Sequence, residues 1–225
     1  MGALMRVLKA ILGTVLALVG STALLHPALA AVKTPAVMPV TLVVGDSLSA
    51  GYGLETGQGW VSLMAARMAR EFPRWTVVNA SVSGDTTAGG LARLPALLAR
   101  DKPRVVIIEL GGNDALRGLS LSNTRANLAA MAKQSKAAGA RVLLLGMQIP
   151  PNYGPVYTER FAAIYPAVAR VEHAALVPFF LAGVANHPDW FQPDNIHPTA
   201  RAQPVMLDNV WRQLLPLLRA PGPAR

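Results

Sequence analysis

The fold is decided by an apolar run that ends in small polar residues, Val40-Thr41-Leu42-Val43-Val44-Gly45-Asp46-Ser47. Its β-branched, nearly continuous apolar character predicts a strand that is buried on both faces of a parallel sheet. The carboxyl ends of such strands form the edge at which open α/β sheets bind ligands. A hydroxyl at this edge is a candidate nucleophile, although Asp46 and Ser47 are also residue types that commonly cap a helix. The stretch alone leaves both interpretations open.

The first 30 residues have the three parts of a secretory signal peptide. Arg6 and Lys9 form a basic start, residues 10–25 form an apolar segment, and Ala28-Leu29-Ala30 matches a small-residue cleavage site. The apolar segment is interrupted by glycine, serine and threonine and is shorter than the roughly 20 residues that span a bilayer, which disfavours an uncleaved anchor. We therefore expect an exported protein, periplasmic or secreted after cleavage near Ala30, whose residues 31–225 form one domain.

Charge and cysteine content narrow the class of protein. The formal charge of +9 falls by two to +7 without Arg6 and Lys9, and the remaining basic residues are mostly isolated arginines. Nucleic-acid-binding surfaces usually show clustered basic residues, so we expect no nucleic-acid partner. The charge is compatible with peripheral contact with an anionic membrane surface, with attraction to phosphate-bearing substrates, or with a solvated basic surface that has no partner. Because the chain has no cysteine, it has no thiolate nucleophile, disulfide or cysteine-based metal site.

Apolar strand-like runs alternate with amphipathic helical segments five times along the chain. The predicted strands are residues 40–44, 75–80, 105–110, 141–147 and 175–179. This alternation predicts an α/β fold, a three-layer α/β/α sandwich around a flavodoxin-like five-stranded parallel sheet with the strand order 2-1-3-4-5. That order brings together the carboxyl ends of the first three strands.

Proline predicts three departures from regular structure. Residues 148–156 are rich in proline and predict an irregular loop after the fourth strand. Pro166 lies within the apolar pattern of the next helix and predicts a kink there. Pro178 predicts that the fifth strand lies at an edge of the sheet, because proline cannot donate to a neighbouring strand.

A serine nucleophile needs a base and a group that orients the base. Three histidines follow residue 30. His197 lies three residues after Asp194, so the carboxylate can accept a hydrogen bond from one imidazole nitrogen while the other faces outward. His173 lies near the end of a predicted helix, which favours a structural role, and His187 lies in no recognisable motif.

The chemistry also needs hydrogen-bond donors for the oxyanion that develops on the substrate. The candidates are the backbone N–H groups of Ser47 and Gly84 and the side-chain amide of Asn113. Glycine at position 84 allows the backbone to approach a substrate closely. Asn113 follows a strand end, where it can be aimed from a rigid base, although satisfying a turn is an alternative role for it or for Asp114.

Four motifs in this order resemble those of the SGNH/GDSL hydrolase family. They are Gly45-Asp46-Ser47-Leu48-Ser49, Gly84 within Ser-Gly-Asp-Thr, Gly111-x-Asn113-Asp114 and Asp194-x-x-His197. The resemblance covers essentially the whole chain after residue 30, and it is strongest to the exported bacterial thioesterase, lysophospholipase and arylesterase branch. It implies Ser47 as nucleophile, His197 as base and Asp194 as the orienting acid. It also implies an oxyanion hole formed by the Ser47 and Gly84 N–H groups with the Asn113 amide.

The resemblance implies short- or medium-chain acyl esters and thioesters as substrates, including acyl-CoA and lysophospholipids, with no cofactor or metal. In that branch the loop after the fourth strand flanks the acyl groove. We therefore predict substrate contacts from Ile149, Tyr153, Val156 and Tyr157, with an ordinary surface loop as the alternative.

Other functions are weighed against this one. Related family members act on acetylated carbohydrates, which would keep the same triad. A metal-dependent phosphatase built on the aspartates and His197 would leave Ser47 and Asn113 without a role. A non-catalytic envelope binding protein would not need Ser47, Asp194 and His197 together. The residues around Ser47 do not form Gly-x-Ser-x-Gly, which disfavours the nucleophile-elbow α/β-hydrolase fold.

Overall fold

Five parallel strands form the centre of the structure. The structure is a computed structural model, and it describes residues 38–221. The strands are β1 (Val40–Gly45), β2 (Thr76–Asn79), β3 (Val105–Glu109), β4 (Arg141–Leu145) and β5 (Ala175–Val177). Their order in the sheet is β2-β1-β3-β4-β5, and every pair is parallel. The predicted order is confirmed, and so is the edge position of the fifth strand. The predicted signal peptide, residues 1–30, lies outside the described residues and stays a prediction.

Eight α-helices connect or flank the strands in the described part of the chain. They are α1 (Ser47–Ala50), α2 (Trp60–Glu71), α3 (Thr87–Asp101), α4 (Gly112–Leu116), α5 (Leu121–Ala137), α6 (Pro155–Ala162), α7 (Ile164–Glu172) and α8 (Gln203–Arg219). α5 packs against α3 and α7, whereas α2 packs against α8, and both groups contact the strands. The α/β/α sandwich is therefore confirmed. Within residues 38–221, no helix has both the length and the apolar character needed to cross a membrane.

Core packing also holds the segment that carries His197. Trp60 begins α2, is fully buried, and packs edge-on against Phe180 with the ring centroids 5.4 Å apart. Its backbone N–H donates to Gln203 Oε1 at 3.0 Å, and the Gln203 amide donates in turn to the Pro198 carbonyl at 3.4 Å. These bonds connect the starts of α2 and α8 to the residue that follows His197, so this histidine is anchored to the core.

The structure corrects two details around the proline-rich loop. Residues 148–156 are not wholly irregular, because a 3₁₀ turn forms at Pro151–Tyr153 and α6 already begins at Pro155. Proline is favoured at a first helical position, where its missing N–H has no partner to lose. The expected kink is a break at Ala163 between α6 and α7. Pro166 explains the break, since it cannot donate to the Ala162 carbonyl and its ring crowds that oxygen.

A buried pair of carboxyl groups lies where β1 and β3 end. Gly45 is paired with Glu109, and Asp46 follows Gly45 directly. Glu109 Oε2 accepts hydrogen bonds from Ser49 Oγ at 2.7 Å and from the Asp46 backbone N–H at 3.2 Å. A Cβ atom at position 45 would lie 2.8 Å from Glu109 Oε2 and 2.7 Å from Ser49 Oγ. Glycine is therefore required there for the backbone to pass this close to the carboxyl group.

Burial raises the pKa of both carboxyl groups. Desolvation is the largest cause at each, and the charge of Asp46 adds to the effect on Glu109. The pKa of Asp46 rises to about 6, since hydrogen bonds from Leu48, Glu109 and Asn113 oppose part of the desolvation. The pKa of Glu109 lies well above its ordinary value. Of the two, Glu109 has the pKa that is raised further, so it holds its proton to higher pH than Asp46 does.

Replacing Glu109 with glutamine should change how stability depends on pH. Above its ordinary pKa of 4.5, Glu109 loses its proton in the unfolded chain but keeps it in the folded protein. Folding stability of the wild type must then fall as pH rises, by up to about 1.4 kcal/mol per pH unit relative to Glu109→Gln. Denaturant unfolding of both proteins between about pH 5 and pH 7 measures the difference. A difference that stays constant over this range would show that Glu109 is ionised in the folded protein.

Candidate active site

Ser47 is the first residue of α1, directly after the turn that ends β1. The Asp46 carboxylate caps this short helix by accepting a hydrogen bond from the Leu48 N–H at 3.0 Å. Asp46 therefore takes the capping role that the sequence left open. The Ser47 hydroxyl is left available for other contacts.

The hydroxyl of Ser47 meets the imidazole of His197, which lies 150 residues later in the chain. His197 Nε2 is 2.8 Å from Ser47 Oγ, and its Nδ1 is 2.6 Å from Asp194 Oδ2. Asp194 Oδ1 accepts backbone hydrogen bonds from Ile196 at 2.9 Å and from His197 at 3.0 Å. The carboxylate therefore orients both the imidazole and the main chain that carries it.

Asp194 is stabilised as an anion. The backbone hydrogen bond from His197 is the largest cause, followed by the hydrogen bond to the His197 side chain and the one from the Ile196 N–H. Together they lower the pKa of Asp194 to about 2. A permanent carboxylate at Nδ1 favours the tautomer with its proton on that nitrogen, which leaves Nε2 free to accept a proton from Ser47.

The segment around His197 is held by its own turn and by contacts from the β1–α2 connection. Asn195 adopts a left-handed conformation with φ of 57°, and the Gln192 N–H donates to the His197 carbonyl at 2.8 Å. The ring of Tyr52 lies 4.5 Å from the His197 ring, centroid to centroid. The Gln192 amide donates to the Tyr52 carbonyl at 2.9 Å. The Tyr52 ring therefore packs against the imidazole, and hydrogen bonds from Gln192 hold the main chain of both residues.

The predicted oxyanion donors lie on elements that follow β1, β2 and β3. Asn113 is the second residue of α4, and its Nδ2 donates to Asp46 Oδ2 at 3.1 Å. Gly84 has φ of 80°, and its carbonyl accepts a hydrogen bond at 2.9 Å from Arg117, which caps the end of α4. Among the hydrogen bonds of residues 38–221, none uses the backbone N–H of Ser47 or Gly84. Both N–H groups can therefore donate to a substrate.

A cavity of about 590 Å³ opens beside this site, and Ser47, Asn113 and His197 line it. Most of its remaining wall is apolar and includes Leu48, Leu116, Met147, Ile149, Phe179, Leu181, Phe191 and Ile196. These side chains come from connections that follow four different strands. An apolar cavity with a few convergent polar groups is the usual form of a small-molecule site.

Of the four residues predicted to contact the substrate, one lines the cavity and three do not. Ile149 is buried in the wall of the cavity. Tyr153, Val156 and Tyr157 are not among the lining residues, and Val156 is 67% exposed. The Tyr157 hydroxyl donates to the Ala115 carbonyl at 3.1 Å, and its ring stacks on Tyr153. A substrate contact from these three side chains stays a prediction.

The structure also reveals residues that sequence reasoning missed. Glu109 and Ser49 lie behind Ser47, Tyr52 lies against His197, and Arg117 binds the Gly84 carbonyl. The sequence offered one clue to Glu109, because a lone acid within an apolar strand is rarely buried without a partner.

His187 stacks on Trp190, with the ring centroids 4.4 Å apart, and does not line the cavity. Residues 38–221 contain no group of three or more histidine or acidic side chains arranged to hold a metal ion.

Comparisons with known proteins agree with this geometry. Residues 43–203 match the GDSL-like Lipase/Acylhydrolase family. The chain is 60% identical over 177 residues to Esterase TesA of Pseudomonas aeruginosa, which covers 79% of this chain and 88% of the relative. It is 46% identical over 177 residues to thioesterase 1/protease 1/lysophospholipase L1 of Escherichia coli, with coverage of 79% and 84%.

A solved structure is also similar to this chain in fold and in sequence. The crystal structure of TesA superimposes with a TM-score of 0.77 at 59% sequence identity, and the match covers 79% of this chain and 99% of that structure. The resemblance first inferred from four short motifs is thus confirmed over the whole catalytic fold. The chain belongs to the GDSL-like lipase/acylhydrolase family.

Proposed function

We propose that the protein is a serine hydrolase that cleaves carboxylic esters and thioesters through an acyl-enzyme on Ser47. The observation that carries this proposal is the continuous line of hydrogen bonds from Asp194 through His197 to Ser47, at the mouth of an apolar cavity. A nucleophile, a base and an orienting carboxylate in this geometry are the parts that acyl transfer requires.

The reaction begins when His197 Nε2 accepts the hydroxyl proton and Ser47 Oγ bonds to the acyl carbon. The carbonyl π electrons move onto oxygen to give a tetrahedral intermediate. Collapse of this intermediate breaks the bond to the alcohol or thiol, and His197 returns the proton to that leaving group. Water then attacks the acyl-enzyme in the same way, which releases the acid and free Ser47. Asp194 stays ionised throughout and stabilises the imidazolium formed in each step.

The oxyanion is stabilised by the N–H groups of Ser47 and Gly84 and by the Asn113 amide. These donors belong to rigid turns and to α4, so little reorganisation accompanies the reaction. Each such donor typically lowers the barrier by about 3 to 4 kcal/mol. The free N–H groups of Ser47 and Gly84 support this role.

The apolar cavity supports an acyl chain as the group that is bound. Each buried methylene contributes roughly 0.8 kcal/mol of binding. Relatives named esterase and thioesterase 1/protease 1/lysophospholipase L1 support esters, thioesters and lysophospholipids as substrate classes. Within these classes we propose short- to medium-chain acyl groups, including those of acyl-CoA. The segment after β4 that holds Ile149, Tyr153, Val156 and Tyr157, and that ends in the first turn of α6, is proposed to set the preference for chain length. An acetyl group would cover little of the apolar wall, which favours a longer acyl chain over an acetylated carbohydrate.

The protein is proposed to act outside the cytoplasm. Residues 1–30 have the pattern of a signal peptide, and cleavage near Ala30 would release residues 31–225 as one hydrolase domain. The excess of basic residues supports peripheral contact with anionic membrane surfaces.

Ser47→Ala should leave a folded protein that no longer hydrolyses esters. Loss of the nucleophile should lower kcat on p-nitrophenyl butyrate by more than about 1,000-fold. A serine-directed phosphonate should label the wild type and fail to label the variant, as seen by intact-mass measurement. The exposed Ser122→Ala is the matched control and should keep full activity. Equal labelling of wild type and Ser47→Ala would assign the nucleophile elsewhere, and an inactive wild type would support the non-catalytic binding protein.

The wild type should prefer acyl chains that fill the cavity. From p-nitrophenyl acetate to octanoate, kcat/KM should rise about fourfold per added methylene until the cavity is full. Ile149→Ala removes apolar surface from the cavity wall and should flatten this rise.

The same series of p-nitrophenyl esters tests whether Tyr153 and Val156 contact the acyl chain. Adding acetyl-xylan to the series tests the alternative substrate class. If a variant with both Tyr153→Ala and Val156→Ala keeps the wild-type dependence of kcat/KM on chain length, these two side chains do not contact the acyl chain. The contacts would then be restricted to the part of the segment around Ile149, in the cavity wall. A wild type that prefers acetyl-xylan to the butyrate and octanoate esters would instead identify a carbohydrate acetyl-esterase.

A further inference from the structure

Glu109 is a buried carboxyl group that the mechanism above does not use. It ends β3 and is only 2% exposed, although it is the one charged residue of that strand. Its side chain points to the back of the turn that carries Ser47. A buried acid is costly unless its polar atoms are paired, so its partners indicate what it does.

The first partners of Glu109 flank the nucleophile. Its Oε2 accepts hydrogen bonds from the Asp46 N–H at 3.2 Å and from Ser49 Oγ at 2.7 Å. These donors precede and follow Ser47 in the chain. The main chain that presents the Ser47 N–H is therefore held from both sides by one carboxyl group.

The second connection runs through the Asp46 side chain to the oxyanion hole. Asp46 donates its backbone N–H to Glu109 Oε2 at 3.2 Å, and its Oδ2 accepts from Asn113 Nδ2 at 3.1 Å, so Asp46 links Glu109 to the Asn113 amide. An asparagine amide has two N–H bonds, and rotation about its last side-chain torsion is broad. With one N–H held by Asp46, the other is aimed away from it, and the flipped amide, which would present oxygen to the oxyanion, is excluded.

One proton between the two carboxyl groups is needed for this arrangement. If both were ionised, like charges would face each other in a buried site and push the pair apart. Glu109 has the higher pKa because it is more completely desolvated and lies beside the Asp46 charge. The Asp46 carboxyl group accepts from the Leu48 N–H and from the Asn113 amide at the same time, which an ionised carboxylate does best.

We propose that Glu109 is a positioning residue for the oxyanion hole. It fixes the Ser47 N–H through Asp46 and Ser49, and it fixes the Asn113 amide through the Asp46 carboxylate. It touches no substrate itself. The inference rests on the proposed hydrolase function, because it assigns a role within that same site.

Substitutions at Glu109 separate positioning from a merely structural role. Glu109→Gln keeps an acceptor oxygen and a neutral donor, so it should retain kcat to within about threefold. Glu109→Leu keeps the volume but leaves Asp46 and Ser49 without their partner. Since misplacement by about 1 Å costs on the order of 100-fold, kcat on p-nitrophenyl butyrate should fall by about that factor. KM should change little, because oxyanion contacts form only in the transition state.

Val106→Ala is the matched control for lost stability. Val106 is a fully buried residue of the same strand, three positions away from Glu109 and outside the site. It should lower the denaturation midpoint while leaving kcat at the wild-type value. If Glu109→Leu does not fold, Ser49→Ala decides instead. It removes one donor to Glu109 and should lower kcat by about tenfold with KM unchanged.

The outcomes for the two proposals are distinct. Hydrolysis by the wild type and by Val106→Ala tests the hydrolase function, whereas the ratio of each Glu109 variant to the wild type tests the positioning role. Wild-type kcat in folded Glu109→Leu, or in Ser49→Ala when the leucine variant does not fold, would overturn the positioning role. A folded Glu109→Gln as impaired as Glu109→Leu would also overturn it, because glutamine reproduces the neutral hydrogen bonds.

Discussion

Parallel pairing of β1 with β3 brings Gly45 opposite Glu109 and sets the polar residues that follow both strands side by side. Ser47 follows β1, and Asn113 follows β3, so the proposed nucleophile and the proposed oxyanion donor are placed by the same pair of strands. The close approach depends on the absence of a side chain at Gly45. The α3, α5 and α7 group and the α2 and α8 group bury the sheet, so this geometry is supported by the whole hydrophobic core.

Three carboxyl groups serve the site, and their surroundings give each a different form. Asp194 is partly exposed and receives two backbone hydrogen bonds, and its pKa is lowered to about 2, which favours the anion. Glu109 is desolvated beside another carboxyl group, which raises its pKa well above the ordinary value. Asp46 lies between these extremes, with a pKa of about 6. The same functional group is thus a charge for the histidine, an acceptor for the turn that carries Ser47, and an acceptor that holds Asn113.

Much of the fold could be predicted from the sequence because its strands are short apolar runs that end in recognisable turns. The order of strands followed from those runs. The hydrogen-bonded series of Asp194, His197 and Ser47 followed from the resemblance of four motifs to a known family. The start of α6 was predicted as part of an irregular loop, because a proline such as Pro155 is as common in loops as in the first turn of a helix. Glu109 was missed because a strand pattern does not report the neighbours of a buried acid. The cavity wall was only partly predicted, since a loop sequence does not show that Ile149 turns inward while Val156 turns outward.

The central claim is that a tetrahedral oxyanion on Ser47 is held by donors that the turns after β1, β2 and β3 bring together. A crystal structure of the protein inactivated by a serine-directed phosphonate tests it most directly, because the phosphonyl oxygen imitates that oxyanion. The account predicts phosphorus on Ser47 Oγ, with the oxygen about 2.7 to 3.1 Å from the Ser47 N, the Gly84 N and Asn113 Nδ2. It also predicts that Asn113 still donates to Asp46. Phosphorus on another residue, or a phosphonyl oxygen directed away from these donors, would contradict the account.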